Sequence, residues 1–228
     1  MSINGIHHLA VSTTDIKKQI YFFTEVLGLE LVALYWMHGV PDTWHGFIKL
    51  NDHSYLAFVQ GPKNIDGVAT LGSSHAAGSG GPSAGGTMQH LAFNVDSLDE
   101  LLAMRDRIRA HGVNVFGPLD HGMCHSMYFA GPEGINLEVA TSAEAIDRRQ
   151  WIDPEVVALA GISAEELARF TAPKEKLVVA SPVPQPEYDP AQPHMAVSKE
   201  RYDMLMSMSD EEYARKASVP EPPVPLDA

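Results

Sequence analysis

The sequence predicts an α+β protein: two βαβββ modules whose strands form a cupped mixed sheet, followed by a C-terminal arm. Three observations carry this expectation. The tripeptide His-Leu-Ala occurs twice, at His8–Ala10 and His90–Ala92. After each copy the hydrophobic period changes in the same order, from strand to helix to strands. Between the copies, over 63–87, runs a Gly/Ser/Ala-rich stretch without periodicity, read as a flexible linker or a flap.

Residues 5–12, Gly-Ile-His-His-Leu-Ala-Val-Ser, read as the first strand. Thr14 and Asp15 offer an N-cap to a helix with Ile16, Ile20, Phe23 and Val26 on its apolar face, and Gly28 stops it. Strands are expected over 30–37, 43–50 and 54–60, with Asn51-Asp52 turning between the last two. These elements make the first module, residues 1–62.

The second module, 88–142, repeats the order. Met88–Val95 is a strand, and Ser97-Leu98-Asp99-Glu100 opens a helix that packs through Leu101, Leu102, Met104 and Ile108 and ends at Gly112. Strands follow at Val113–Phe116, Ser126–Ala130 and Ile135–Ala140. Asp120–His125 reads as a loop and Pro132-Glu133-Gly134 as the last hairpin turn. From 143 to 228 the repeat is over. Short helices are expected at Asp153–Leu159 and Ala164–Phe170, the second with a Ser163/Glu166 capping box, then a proline-rich extended stretch over 181–193 and a methionine-rich helical stretch over Lys199–Lys216. This arm carries no catalytic motif and is expected to pack on the domain or on a second subunit.

The formal charge of −13 argues against a nucleic-acid partner, because phosphate binding needs a basic face. No stretch is apolar and long enough to span a bilayer, and Met1–Gly5 lacks the basic and apolar regions of a signal peptide. Cys124 is the single cysteine, so a reducing cytoplasm is the expected compartment. It sits in Gly-Met-Cys-His without the signature of a nucleophile and reads as a bystander thiol.

His8 and His90 occupy matching positions on the first strand of each module, and Glu138 interrupts the otherwise apolar end of the last strand, Ile-Asn-Leu-Glu-Val-Ala. An unpartnered carboxylate there would cost several kcal/mol of desolvation, which a metal ion would offset. The first-module counterpart of Glu138 falls at Leu56 or Ala57, neither of which can ligate. Two imidazoles and one carboxylate with open positions suit Fe(II) first, with Mn(II) and Zn(II) behind it.

At these residues the chain resembles the vicinal oxygen chelate superfamily, which includes glyoxalase I, methylmalonyl-CoA epimerase, fosfomycin-resistance transferases and type I extradiol dioxygenases. The resemblance rests on the run from His7-His8-Leu9-Ala10 through Phe22-Phe23 to Val26-Leu27-Gly28-Leu29, and on Tyr128 through Glu138; it covers roughly 5–142. It implies a metal held by His8, His90 and Glu138. The usual Asp-Pro-Asp-Gly turn is here Gly131-Pro132-Glu133-Gly134. A glyoxalase I would add a glutamate ligand from the first module, and a phosphonate transferase would carry a basic pocket; neither is visible.

The expectation is therefore an Fe(II) extradiol-type ring-cleaving dioxygenase acting on a small catechol or hydroquinone with dioxygen. The resemblance implies a second-shell role for Tyr128 and a functional role for His7. His121 and His125 offer an imidazole for proton transfer. Trp44, His45 and Phe47 are candidates to line the substrate pocket, with sheet-core packing the other account of Phe47. The resemblance also implies a homodimer. Two alternatives stay open: a glyoxalase I-like lyase or isomerase using Ni(II), Zn(II) or Mn(II), and a bleomycin-resistance-like protein that sequesters a ligand. The intact ligand triad speaks against the latter.

Overall fold

The computed structural model describes residues 3–64, 70–76, 81–173 and 181–225. In the first module, β1 (His8–Ser12) leads to a helix, α1 (Ile16–Tyr21), which continues as a π turn over Phe22–Val26. The Asp15 carboxylate caps it by accepting from the Lys18 N–H. Gly28 ends it at φ +76°, where a Cβ would also meet the Arg107 guanidinium at 3.0 Å. Strands β2 (Glu30–Trp36), β3 (Trp44–Asn51) and β4 (Ser54–Gln60) complete a sheet of order β1-β4-β3-β2, with β1 and β4 parallel.

The second module copies this plan: β5 (Leu91–Asn94), α2 (Leu98–Ala110), β6 (Val115–Asp120), β7 (His125–Ala130) and β8 (Asn136–Thr141), in the order β5-β8-β7-β6. Register makes the duplication exact enough to assign counterparts. Ala10 pairs with Ala57 as Ala92 pairs with Glu138, and Phe47 pairs with Ala57 as Tyr128 pairs with Glu138. Ala57, and not Leu56, thus stands in the place of Glu138.

Three expectations need adjustment. The strand expected over Met88–Val95 is only Leu91–Asn94, so His90 stands just before β5. The Asp120–His125 loop shrinks to four residues, because β6 runs to Asp120 and β7 begins at His125; the His121 N–H closes it on the Cys124 carbonyl at 2.8 Å. The Lys199–Lys216 stretch is two helices, α6 (Lys199–Met206) and α7 (Asp210–Ala217), because Ser209 caps a new start by accepting from the Glu212 N–H.

Both helices and both sheets share one apolar core. Phe23, Ile48, Phe58, Leu101, Ile108, Met127 and Leu137 are fully or almost fully buried in it. Phe23 packs on Phe58 (5.2 Å between ring centroids) and Phe93 (6.2 Å), and Phe22 stacks on Phe129 across the modules. Two polar clamps grip the first-module helix. At its start, Glu133 of the final turn accepts from the Thr13 hydroxyl (2.6 Å), the Thr14 N–H (2.8 Å), the Thr14 hydroxyl and the Gln19 amide (2.8 Å). At its end, Arg107 of α2 donates to the carbonyls of Val26 (2.8 Å) and Glu25 (2.7 Å).

Residues 147–228 form a second compact unit. It contains α3 (Arg148–Trp151), α4 (Pro154–Leu159), α5 (Ala164–Thr171), α6 and α7, and α5 has the expected Ser163/Glu166 capping box. None of its described residues is buried. Among the described residues no helix is long and apolar enough to cross a membrane.

Partial burial pushes the Glu133 carboxyl up, but the hydrogen bonds from Thr13, Thr14 and Gln19 outweigh it and leave its pKa below the ordinary 4.5. Glu133→Gln keeps the left-handed backbone (φ 57°) and the size, but loses acceptors and should cost about 2 kcal/mol. The wild-type advantage should be full above pH 4.5 and shrink as pH falls through the depressed folded value. Denaturant melts of both proteins across that range check this; a gap independent of pH would show that the carboxylate charge is not what holds the clamp.

Candidate functional site

Strand alternation gives each sheet one face for the core and one free face. On the free face of the second module, Glu138 is 6% exposed and its Oε2 lies 2.7 Å from His90 Nε2. The other ring nitrogen of His90, Nδ1, contacts the Gln89 side-chain oxygen. In the tautomer with its N–H on Nδ1, donated to Gln89, the imidazole turns a lone pair on Nε2 toward a buried carboxylate oxygen; in the other, Nε2–H donates to Glu138. Two acceptors so placed call for a proton or a cation between them. No Lys or Arg occurs in β5, β6, β7 or β8 to neutralise Glu138. The donor set, an imidazole and a carboxylate, therefore fits a divalent metal ion.

Tyr128, directly across the ladder from Glu138, completes this half of the site. Its hydroxyl is 3.0 Å from His121 Nε2. Burial first, and the Glu138 charge second, push its pKa above the ordinary 10.0, so the phenol stays protonated near neutrality and remains a donor. His121 is exposed and links Tyr128 to solvent. His125 goes elsewhere. It shares the Met127–Phe129 side of β7, opposite Ser126 and Tyr128, and its ring lies 3.8 Å from the Asp120 carboxylate. The strand begins one residue earlier than the sequence suggests, and that sets His125 on the other face.

On the free face of the first module, His8 makes an edge contact with Phe47 at 5.6 Å between centroids. His7 lies outside β1, so strand alternation does not separate it from His8, and the two Nδ1 atoms are 2.9 Å apart. His45 packs on Phe47 (4.5 Å) and its Nδ1 is 3.3 Å from the Tyr35 hydroxyl. Burial, and then the neighbouring His8, lower its pKa below 6.5. Its buried Nε2 has no hydrogen-bond partner among the described residues. Trp44, one residue earlier in β3, alternates to the opposite face and meets Trp36 at 6.0 Å, so it does not line the His8 face.

The residues singled out in the sequence thus fall into two groups: His7, His8, His45 and Phe47 in one module, and His90, Tyr128, Glu138 and His121 in the other. Among the described residues no group of three or more His, Cys, Asp or Glu side chains comes together as a metal site. Tyr35 and Gln89 were not anticipated. Tyr35 could have been found from its place opposite His45 in the β2–β3 hairpin, whereas nothing in the sequence marks Gln89 beyond its adjacency to His90.

The model of the Glyoxalase/Bleomycin resistance protein/Dioxygenase superfamily matches residues 5–139. Biphenyl-2,3-diol 1,2-dioxygenase 2 of Rhodococcus globerulus is 31% identical over 84 residues, 37% of this chain and 44% of that protein. The chain thus spans under half the length of that relative. A Vibrio parahaemolyticus protein named "Probable lactoylglutathione lyase" is 28% identical over 148 residues, 64% of this chain and 96% of its own. Among solved structures, a glyoxylase/bleomycin resistance protein/dioxygenase domain from Frankia sp. EAN1pec is similar, with a TM-score of 0.48 and 16% identity over 62% of this chain and 99% of that one.

If His90 and Glu138 ligate a metal, Mn(II) at about a hundredfold its dissociation constant should raise wild-type stability by about 2.7 kcal/mol, read as a rise in Tm. His90→Ala and Glu138→Gln should show no such rise. A metal-induced shift in Glu138→Gln equal to that of the wild type would remove the carboxylate from the ligand set.

Proposed function

The chain belongs to the Glyoxalase/Bleomycin resistance protein/Dioxygenase superfamily, and from that membership we propose that it is an Fe(II)-dependent, extradiol-type ring-cleaving dioxygenase for a small catechol or hydroquinone. The observation that carries this reading is the facing pair His90–Glu138 with the Tyr128–His121 dyad beside it. Nitrogen and carboxylate donors with open positions suit ferrous iron. Bound there, ferrous iron supplies the Lewis acidity and the electron exchange that couple a phenolate to dioxygen.

The protein side of the reaction then has assigned parts. Glu138 and His90 hold the metal, and Gln89 fixes the His90 tautomer. Tyr128, kept protonated by burial, donates its hydroxyl hydrogen bond to a substrate oxygen, and His121 behind it passes protons between Tyr128 and solvent. Phe47 and Tyr35, nearly parallel, offer aromatic surface to the ring, with His45 tilted against Phe47. Ala57 in the place of a second carboxylate supports oxygen chemistry over a glyoxalase-type isomerisation, which needs a base there.

The third ligand, His8, comes in this reading from a second copy of the chain. Among the described residues both β1 and β5 are edge strands with no neighbour on one side, and His8, Ala10 and Ser12 on β1 are exposed. In a twofold dimer the His8 face of one copy meets the Glu138 face of the other, twice.

Anaerobically reconstituted protein should consume dioxygen in step with catechol loss, and Tyr128→Phe should lower kcat about a hundredfold or more with little change in KM. Turnover of a hemithioacetal without oxygen uptake would replace the dioxygenase reading with the lyase. Subunit sharing has its own test. His8→Ala and Glu138→Ala should each be inactive, and mixing and re-annealing them should restore about a quarter of wild-type activity, because half the dimers are mixed and each has one intact site. No recovery in verified mixed dimers would place the site within one chain.

A further inference from the structure

On the His8 face of the first module lies a cavity of 440 Å³ lined by Ala33, Tyr35, Phe47, Lys49, Asp52 and Tyr55. Its wall is aromatic. The Tyr35 and Phe47 rings are within 13° of parallel with centroids 6.4 Å apart, and Tyr55 meets Phe47 edge-on at 6.2 Å. Flat rings so arranged favour a flat aromatic guest.

The charge at this cavity is unusual. Of all residues in strands β1 to β8, Lys49 is the single Lys or Arg. It follows Phe47 by two residues on β3 and so shares its face. Its ammonium is not free to meet an anion, because Asp52, in the turn that follows, holds it at 2.7 Å. Glu30, on the neighbouring strand, adds a second negative charge to its surroundings. A ring carboxylate entering here would meet two carboxylates around one ammonium. A neutral hydroxyl or carbonyl would instead find ammonium N–H donors left over from Asp52, since an ammonium has three.

We propose that this cavity holds the ring of an aromatic substrate that carries no charged substituent, and that Asp52 is the residue that sets this preference by neutralising Lys49. The inference takes the substrate to be the phenol of the preceding section, and it narrows that class to uncharged phenols.

The test needs neither metal nor turnover. Binding of 4-methylphenol and of 4-hydroxybenzoate to the metal-free full-length protein is measured by calorimetry near neutral pH, where only the second is anionic. Wild type should bind 4-methylphenol about tenfold or more tighter. Asp52→Asn should tighten 4-hydroxybenzoate about fivefold and leave 4-methylphenol unchanged. Asp52 is exposed in a turn, so this variant should fold normally; Lys49→Gln is the second probe and, because it removes the ammonium donors, should weaken both ligands, 4-hydroxybenzoate more than 4-methylphenol. Equal binding of the two ligands by wild type, no binding of 4-methylphenol, or an Asp52→Asn effect of the same size on both would overturn the proposal. If the preference holds while no catechol drives oxygen uptake, the dioxygenase reading fails and the specificity assignment stands. If neutral and carboxylated catechols are consumed alike, the outcome is the reverse.

Discussion

The geometry of the two modules depends on the two-ended grip that the second has on the first-module helix. Glu133 sits where the helix presents unpaired N–H groups and Arg107 where it presents unpaired carbonyls. Each charge also has the sign that the helix dipole favours at that end. The apolar contacts of Phe22 and Phe23 supply the driving force, but they would tolerate sliding; the charged hydrogen bonds have a single geometry. Because α1 packs behind the sheet that carries His8, and Glu133 lies in the turn that leads directly into the strand carrying Glu138, the same clamp orients both half-sites. The helix clamp and the candidate site are therefore linked through one turn.

Much of this was legible in the sequence because it is local. The helix from Ile16, its Asp15 cap, the Gly28 stop and the Ser163/Glu166 box follow from periodicity and capping chemistry, which act over a few residues. The second-sheet face was legible too: Glu138, Tyr128 and the run from His90 are joined by register and alternation. What was not legible is the long-range part. Glu133 reads as an ordinary turn residue, since its hydroxyl partner Thr13 lies 120 positions away. Met88-Gln89-His90 reads as strand because residue type cannot tell where pairing with β8 stops. Trp44 marks a different limit: aromatic character drew it to the pocket, although its adjacency to His45 in one strand already requires opposite faces.

Duplication followed by divergence explains why the two half-sites do different work. At the positions matched by register, the second module has Glu138, Tyr128 and Ser126 where the first has Ala57, Phe47 and His45. The backbone frames are equivalent, so the chemistry differs only through these side chains. One face keeps a carboxylate and a phenol, groups that bind cations and move protons. Its counterpart keeps aromatic and imidazole rings, and its carboxylate position is an alanine. In the proposed reaction that division gives one face to the reacting oxygen atoms and one to the ring that bears them.

The same division bears on assembly. Among the described residues β1 and β5 each leave one edge unpaired, His8, Ala10 and Ser12 on β1 are exposed, and open strand edges are a liability that proteins commonly cover. In the dimer we propose, pairing unlike faces from two copies would cover both edges with one twofold operation. In that proposed dimer the imidazole of His8 would join the pair His90–Glu138, the donor that a facial set of two histidines and a carboxylate lacks. In the proposed dimer, symmetry would do for the metal what the clamp of Glu133 and Arg107 does for the helix: it would convert residues distant in the chain into a single rigid geometry.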